Sequence, residues 1–277
     1  MTPAAVHNAR VSSHADLTLA AWLTLSDEAA GRVAAAIARD TGARLTGVAP
    51  HTYAGRAART AFFDRDGIRY ALVPGGAAQL GHDPERFVPS ARQRAAFAAA
   101  GLPGTIGGFV AGTTSPPRRV TLPASLVAVQ SEEADVLAAS DGEDLDDHAA
   151  LMAALERRGL RPPTPDEWEY ACGAGATTLF RWGDDHPDGD PYGDVPLLRE
   201  PTLFGLIIGD DPYRAEFTTD AAVLCGGDGG SALCGDYGSF AAWLTLATAY
   251  RDADLADVVR DGELIGETPV RPVLPLA

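Results

Sequence analysis

The segment Arg161-Pro-Pro-Thr-Pro-Asp-Glu-Trp-Glu-Tyr-Ala-Cys172 constrains this chain more than any other stretch. Thr164, Pro165 and Glu167 stand at the N-cap, N1 and N3 positions of a helix. T-x-x-E is a capping box: the threonine oxygen takes the N3 amide and the glutamate takes the N-cap amide. Proline at N1 sacrifices an N–H that has no intrahelical partner in any case. A helix therefore starts at this point, with Glu167 as its cap and Cys172 as a packing residue.

Around that fixed point the chain is rich in turn formers. Thirty glycines and twenty prolines in 277 residues exceed ordinary usage and predict a loop-rich fold. A hydrophobic content of 46% is enough to build a sizeable core and argues against intrinsic disorder. Near the start, Ser26 is placed to cap a helix over residues 27–40, with Ala30, Val33, Ala34 and Ile37 at helical spacing and Gly42 just past its end. Residues 45–48 and 60–63 read as short strands, followed by a turn at Asp64 to Gly67 and a strand in which Ile68, Tyr70 and Leu72 share one face. Residues 1–66 are accordingly expected to form a small αββ appendage without a chemical motif, and residues 67–277 a second domain. Within the latter, residues 146–158 carry another helical pattern.

A net charge of -16 excludes most nucleic-acid and anionic-membrane partners, which require a basic footprint that releases counterions. The apolar run from Leu17 to Leu25 is short and interrupted by Thr18 and Thr24, unlike a signal peptide, and no run reaches the ~18 residues of a membrane span. A cytoplasmic location is expected. Three cysteines, Cys172, Cys225 and Cys234, do not make a disulfide framework.

With Phe180-Arg-Trp-Gly-Asp184 downstream, the Arg161 to Cys172 segment closely resembles the signature of the sulfatase-modifying-factor family, which includes the formylglycine-generating enzymes. There the pattern runs R-L-P-T-x-x-E-W-E-Y-A-A and then W-G. Further segments follow in family order: Tyr70-Ala-Leu-Val-Pro-Gly-Gly76 with Leu80-Gly81, Pro117-Arg-Arg-Val-Thr-Leu122, Phe204-Gly-Leu206 and Thr248-Ala-Tyr-Arg251. The resemblance spans about residues 67 to 277 and implies an irregular, loop-rich α+β fold similar to C-type lectin domains.

Two family features are altered. Where the family reads y-D-M-x-G-N-V-W-E-W, with the Asn helping to hold a structural calcium, this chain reads Ile207 to Phe217 and lacks the Asn; its one asparagine is Asn8. Asp210, Asp211 and Glu216 are the oxygen donors left to hold calcium there, the alternative being a solvated acidic loop. Where the family reads R-V-x-R-G-G-S, the stretch Ala222 to Ser231 allows two registers, one of which makes Gly229-Gly-Ser-Ala-Leu-Cys234 similar to the G-G-S-x-x-C of the copper-binding enzymes. The family's second cysteine, five residues on, is Ser239 here. Cys225 and Cys234 remain as an unorthodox thiolate pair for copper, since soft thiolates select Cu(I); the alternative is that the cysteines simply pack.

Other chemistries find no support. The Asp184 to Asp190 run has the density of a calcium loop, but His186 holds its third position and Val195 stands where an EF-hand needs its terminal glutamate, so it reads as a turn-rich solvated loop. No G-x-S-x-G, Walker A or G-x-G-x-x-G occurs, no two of the six histidines lie at i, i+4, and all 22 basic residues are arginine, which excludes a lysine Schiff base. Two expectations follow. One is a scaffold that presents its C-terminal loops to a peptide, protein or small-molecule ligand. The other is a metal-dependent oxidase that modifies a cysteine or other small group through Cys234.

Overall fold

The computed structural model describes residues 13–138, 145–261 and 263–277; Asn8 and the first twelve residues of the expected appendage lie outside them. The first half runs α1 (Leu19–Thr24), α2 (Asp27–Thr41), β1 (Arg44–Tyr53), β2 (Arg56–Arg65), β3 (Ile68–Val73), β4 (Gly76–Leu80), α3 (Ala91–Ala99), α4 (Ile106–Thr113), β5 (Arg118–Leu122), β6 (Ser125–Ala128) and β7 (Glu132–Glu133). The second half runs α5 (Ala134–Ala138), α6 (His148–Arg157), α7 (Pro165–Gly173), β8 (Ala215–Phe217), β9 (Leu224–Gly226), α8 (Ser231–Cys234), α9 (Gly238–Leu244), α10 (Ala253–Arg260), β10 (Pro269–Val270) and β11 (Val273–Pro275). The class is α+β, as expected. Among the described residues, no helix is long and apolar enough to cross a membrane.

Local signals set the first elements. Ser26 accepts from the Ala29 amide to start α2, and Gly42 ends it at φ 69°, a left-handed conformation that costs glycine little. The β2–β3 hairpin turns through Asp66 (φ 54°) and Gly67 (φ 82°), the two positive φ values of a type I′ turn that matches strand twist.

The boundary expected at residue 66 falls inside this hairpin. Strands β1, β2, β3, β6 and β11 form one antiparallel sheet in that order, so the opening αββ unit extends the main sheet across the boundary. Alternation along β3 shows why. Tyr70 and Leu72 enter a core with Ala30, Ala34 and Ile37 of α2, whereas Ala71 and Val73 enter a second core with Val127, Trp168 and Cys172. The sheet needs apolar cover on both faces, and α2 supplies one of them. The Trp22 indole of α1 adds a bond to the Arg59 carbonyl of β2 at 2.7 Å.

A second sheet has the order β7-β10-β8-β9, and β4 pairs with β5. A third core joins α3, α4 and α9 around Phe97, Val110, Phe180, Phe240 and Trp243. Helix α7 lies against β4, β5 and β9, where it positions the polar chemistry described next.

Candidate functional site

The α7 capping box forms as expected: Thr164 Oγ1 accepts the Glu167 amide at 3.1 Å, and Glu167 accepts the Thr164 amide at 2.8 Å. The Arg161 guanidinium adds two bonds of 2.6 Å to the two Glu167 oxygens. Glu167 is thus a structural cap.

Two residues further, Glu169 is 2% exposed and gathers four donors from three separate segments. It accepts from the Gly81 amide, from Ser115 Oγ at 2.9 Å, from Arg118 at 2.9 Å and from Arg251 at 2.8 Å. Asp166 holds the other side of Arg118 at 2.6 and 2.8 Å. Above this network opens a cleft of about 380 Å³ walled by Pro116, Pro165, Val223 and Leu224, with Arg118 and Arg251 among its polar lining. The sequence offered no separate signal for it, because its charges are about 50 to 135 positions apart along the chain and meet only when β4, β5 and α7 pack.

The neighbouring residue, Trp168, donates its indole N–H to Glu216 Oε2 at 2.8 Å. Arg271 then covers both Glu216 oxygens, at 2.9 and 2.6 Å, and spends its remaining N–H groups on the Ala128, Val129 and Ile207 carbonyls. Arg271 is 1% exposed and Glu216 3%. A carboxylate with an indole and a guanidinium on its oxygens is placed as a structural counter-ion.

Of the other two calcium candidates, Asp210 shares a small cavity with Glu216, whereas Asp211 is engaged in a local turn. Asp210 borders a cavity of about 50 Å³ with Gln130, Ser131 and Gly209; burial, and then the charge of Glu216, push its carboxyl above the usual range. Asp211 caps a local turn by accepting the Tyr213 amide at 2.8 Å. Among the described residues, no group of three His, Cys, Asp or Glu side chains is arranged to hold a metal ion. In the Asp184 to Asp190 loop the carboxylates likewise face N–H donors: Asp184 takes the Leu179 amide, Asp185 and Asp188 take Arg92, and Asp190 takes the Tyr192 amide.

The copper candidates occupy different environments. Cys225 lies on β9 opposite Glu216, is fully buried in the core that also holds Cys172, and has its thiol pushed up to about 12 by burial. Burial likewise pushes Cys172 up to about 11. Cys234 ends α8 and is exposed.

The glycine run between them serves close backbone approach. A Cβ on Gly227 would stand 2.3 Å from the Pro212 carbonyl oxygen, and the Gly227 amide instead bonds the Arg214 carbonyl at 3.0 Å. Asp228 then accepts from Gly230 and Ala232 at 2.8 and 2.7 Å, which fixes the start of α8. Around α8 sits an aromatic surface that sequence reading missed. Tyr213 lies against Gly230, Tyr237 lies against Gly235, and Leu233 is exposed on the helix between them. Tyr192 meets Tyr213 at 4.6 Å between ring centroids and packs on the Ala232 cluster. The available signal was tyrosine close to glycine pairs in sequence, which is too common to carry weight without the fold. Compared with known proteins, the chain matches no family model and no curated protein.

Proposed function

We propose that this chain is a divergent member of the sulfatase-modifying-factor group, with its irregular lectin-like fold, that acts as a binding scaffold. Its recognition surface is Tyr213, Leu233 and Tyr237 around α8, with the half-buried Tyr192 packed on Tyr213. The carrying observation is the contrast between the cysteines: Cys225 is sealed in the core as a high-pKa thiol, while Cys234 stands among exposed aromatics. A thiolate copper site needs two accessible sulfurs that ionise readily, and this arrangement supplies one exposed sulfur. Tyrosines with apolar rings and polar tips are the residues that protein interfaces favour. The resemblance draws further support from the meeting of Gly81, Arg118, Glu169 and Arg251, four residues from segments that carry it, in one network.

The ligand class that this surface suits is a peptide or a protein segment. The strongly acidic chain favours one that carries arginine or lysine. The location remains cytoplasmic in this reading, with no nucleic-acid or membrane partner. The exposure of Cys234 beside Gly229-Gly-Ser231 sustains a second reading, a metal-dependent oxidase that uses Cys234.

An anaerobic Cu(I) titration against a competing chelator, run on the wild type and on Cys225→Ser and Cys234→Ser, separates the two. The scaffold reading expects the three proteins to compete equally. Tight stoichiometric binding that either substitution abolishes would replace it with the oxidase. Panning a peptide library on the wild type and on a Tyr213→Ser, Tyr237→Ser double variant tests the surface directly, and equal recovery on both would remove α8 from recognition.

A further inference from the structure

Two histidines outside the α8 surface are buried beside the loop that leads into Tyr192. His82 is 5% exposed and His186 4%. Among the described residues, neither His82 ring nitrogen has a hydrogen-bond partner, and neither has His186 Nε2. His186 Nδ1 is 2.8 Å from the Pro187 carbonyl, which fixes the neutral ring as its Nδ1–H tautomer. Protonation would therefore give His186 an Nε2–H without an acceptor, and would leave both N–H groups of His82 unpaired. A buried N–H without a partner is costly, and a buried charge more so.

The surroundings limit what could offset that cost. His186 stacks on Trp243 of α9 at 5.3 Å and 11°, and meets the edge of Phe180. The Arg92 guanidinium of α3 donates to the His186 carbonyl and opposes a second positive charge on the ring, and Asp185 and Asp188 are already paired with it. His82 packs edge-on to Phe87, with Asp83 and Asp184 as the charges near it. Asp184 already accepts the Leu179 amide. Burial is the largest influence on both rings and disfavours their protonated forms.

The loop that carries His186 is held by the Arg92 contacts, by the Leu179 amide on Asp184, by Ser90 Oγ on Asp185 at 3.3 Å and by three further bonds. Gln93 and Trp182 donate to the Asp184 and Asp185 carbonyls, and Trp243 Nε1 donates to the Gly189 carbonyl, each at 2.9 Å. Immediately beyond comes Tyr192, which packs against Tyr213 and the Ala232 cluster.

We infer that residues 184–192 form an acid-released latch: protonation of His82 and His186 is accommodated by lifting this loop from α3 and α9, which takes Tyr192 away from the α8 surface. The sign follows from the buried neutral rings. Above the ordinary histidine pKa of ~6.5 the closed loop bears no penalty, and as pH falls below that value the open form gains protons that the closed form resists. The release of a bound peptide by acid rests on the α8 surface proposed above; the opening of the loop does not.

The test uses the full chain without a ligand, from about pH 7.5 to about pH 5.5 at constant ionic strength. Tryptophan fluorescence reports Trp182 and Trp243, and hydrogen exchange, corrected for intrinsic rate, reports the 184–192 peptide. The expected result is a loss of protection of about tenfold or more in that peptide, with little change in the β3–β6 peptides, and its absence in His82→Gln with His186→Gln. Unchanged protection in the wild type, or the same loss in the double variant, overturns the latch. Should the double variant not fold, an NMR titration of the wild-type imidazole rings decides: depressed titration coupled to the loop resonances supports the latch, and ordinary titration without loop change refutes it. If the loop opens but a peptide selected on the α8 surface at neutral pH does not dissociate, the latch stands and the surface reading fails.

Discussion

Glu216→Gln isolates the charge that neutralises Arg271 while it keeps the volume of the side chain and an oxygen for the Trp168 indole. Arg271 is 1% exposed, and all its N–H groups point at Glu216 or at the Ala128, Val129 and Ile207 carbonyls. The substitution strands a guanidinium charge in the core and turns an amide N–H₂ toward one of its donors. Breaking a buried ion pair from one side costs about 3–5 kcal/mol, against about 0–1 kcal/mol for an exposed pair. In a chain of this size that lowers the melting midpoint by roughly 10 °C. Urea unfolding of the wild type, Glu216→Gln, Arg271→Met and the double variant closes a cycle, in which the coupling is expected at about 2 kcal/mol or more. A single-variant loss below about 1 kcal/mol, or additive effects, would show that the pair is not the counter-ion device described. Melting in added calcium or chelator provides the contrast: if Glu216 held calcium, calcium would raise the wild-type midpoint and the substitution would erase the gain. We expect the same midpoint in both.

A thiol-reactive dye at about pH 8 should label Cys234 at once and Cys172 and Cys225 only in denaturant, because thiols pushed up to about 11 and about 12 carry almost no thiolate there. Two fast thiols in the native protein would contradict the burial. Asp210→Asn should raise the melting midpoint by a few degrees near neutral pH and leave it unchanged near pH 3. A carboxyl raised by burial favours the folded state only while protonated, and that contribution is lost as pH rises. A lower midpoint at neutral pH would instead mark Asp210 as a used anion. Gly227→Ala brings a methyl group within 2.3 Å of the Pro212 carbonyl oxygen, so thermal melts should show a loss of about 2 kcal/mol. A neutral result would mean that the 212–214 and 226–229 backbones separate easily.

The short-range features were legible in the sequence because their physics is short-range. The α7 capping box, the Ser26 cap and Gly42 stop of α2, and the Asp66-Gly67 turn each depend on groups within four residues, and each forms as the residue pattern predicts. The alternation of Ile68, Tyr70 and Leu72 also foretold one buried face. It did not reveal that Ala71 and Val73 are buried on the other, since small apolar residues between large ones leave the second face ambiguous.

Everything that combines distant charges was decided by the tertiary structure. Glu216 has the composition of a calcium ligand and becomes the partner of Arg271, 55 positions away, because β8 and β10 pair in parallel and carry the two together. Cys225 and Cys234 are near in sequence yet divided between core and surface, because β9 must bury its side chain while α8 caps an exposed loop. A sequence fixes which groups exist and which local turns they prefer. Burial, which sets whether a carboxylate is a counter-ion, a thiol is inert or a histidine is neutral, depends on what other segments lie above each group, and only the packed chain supplies them.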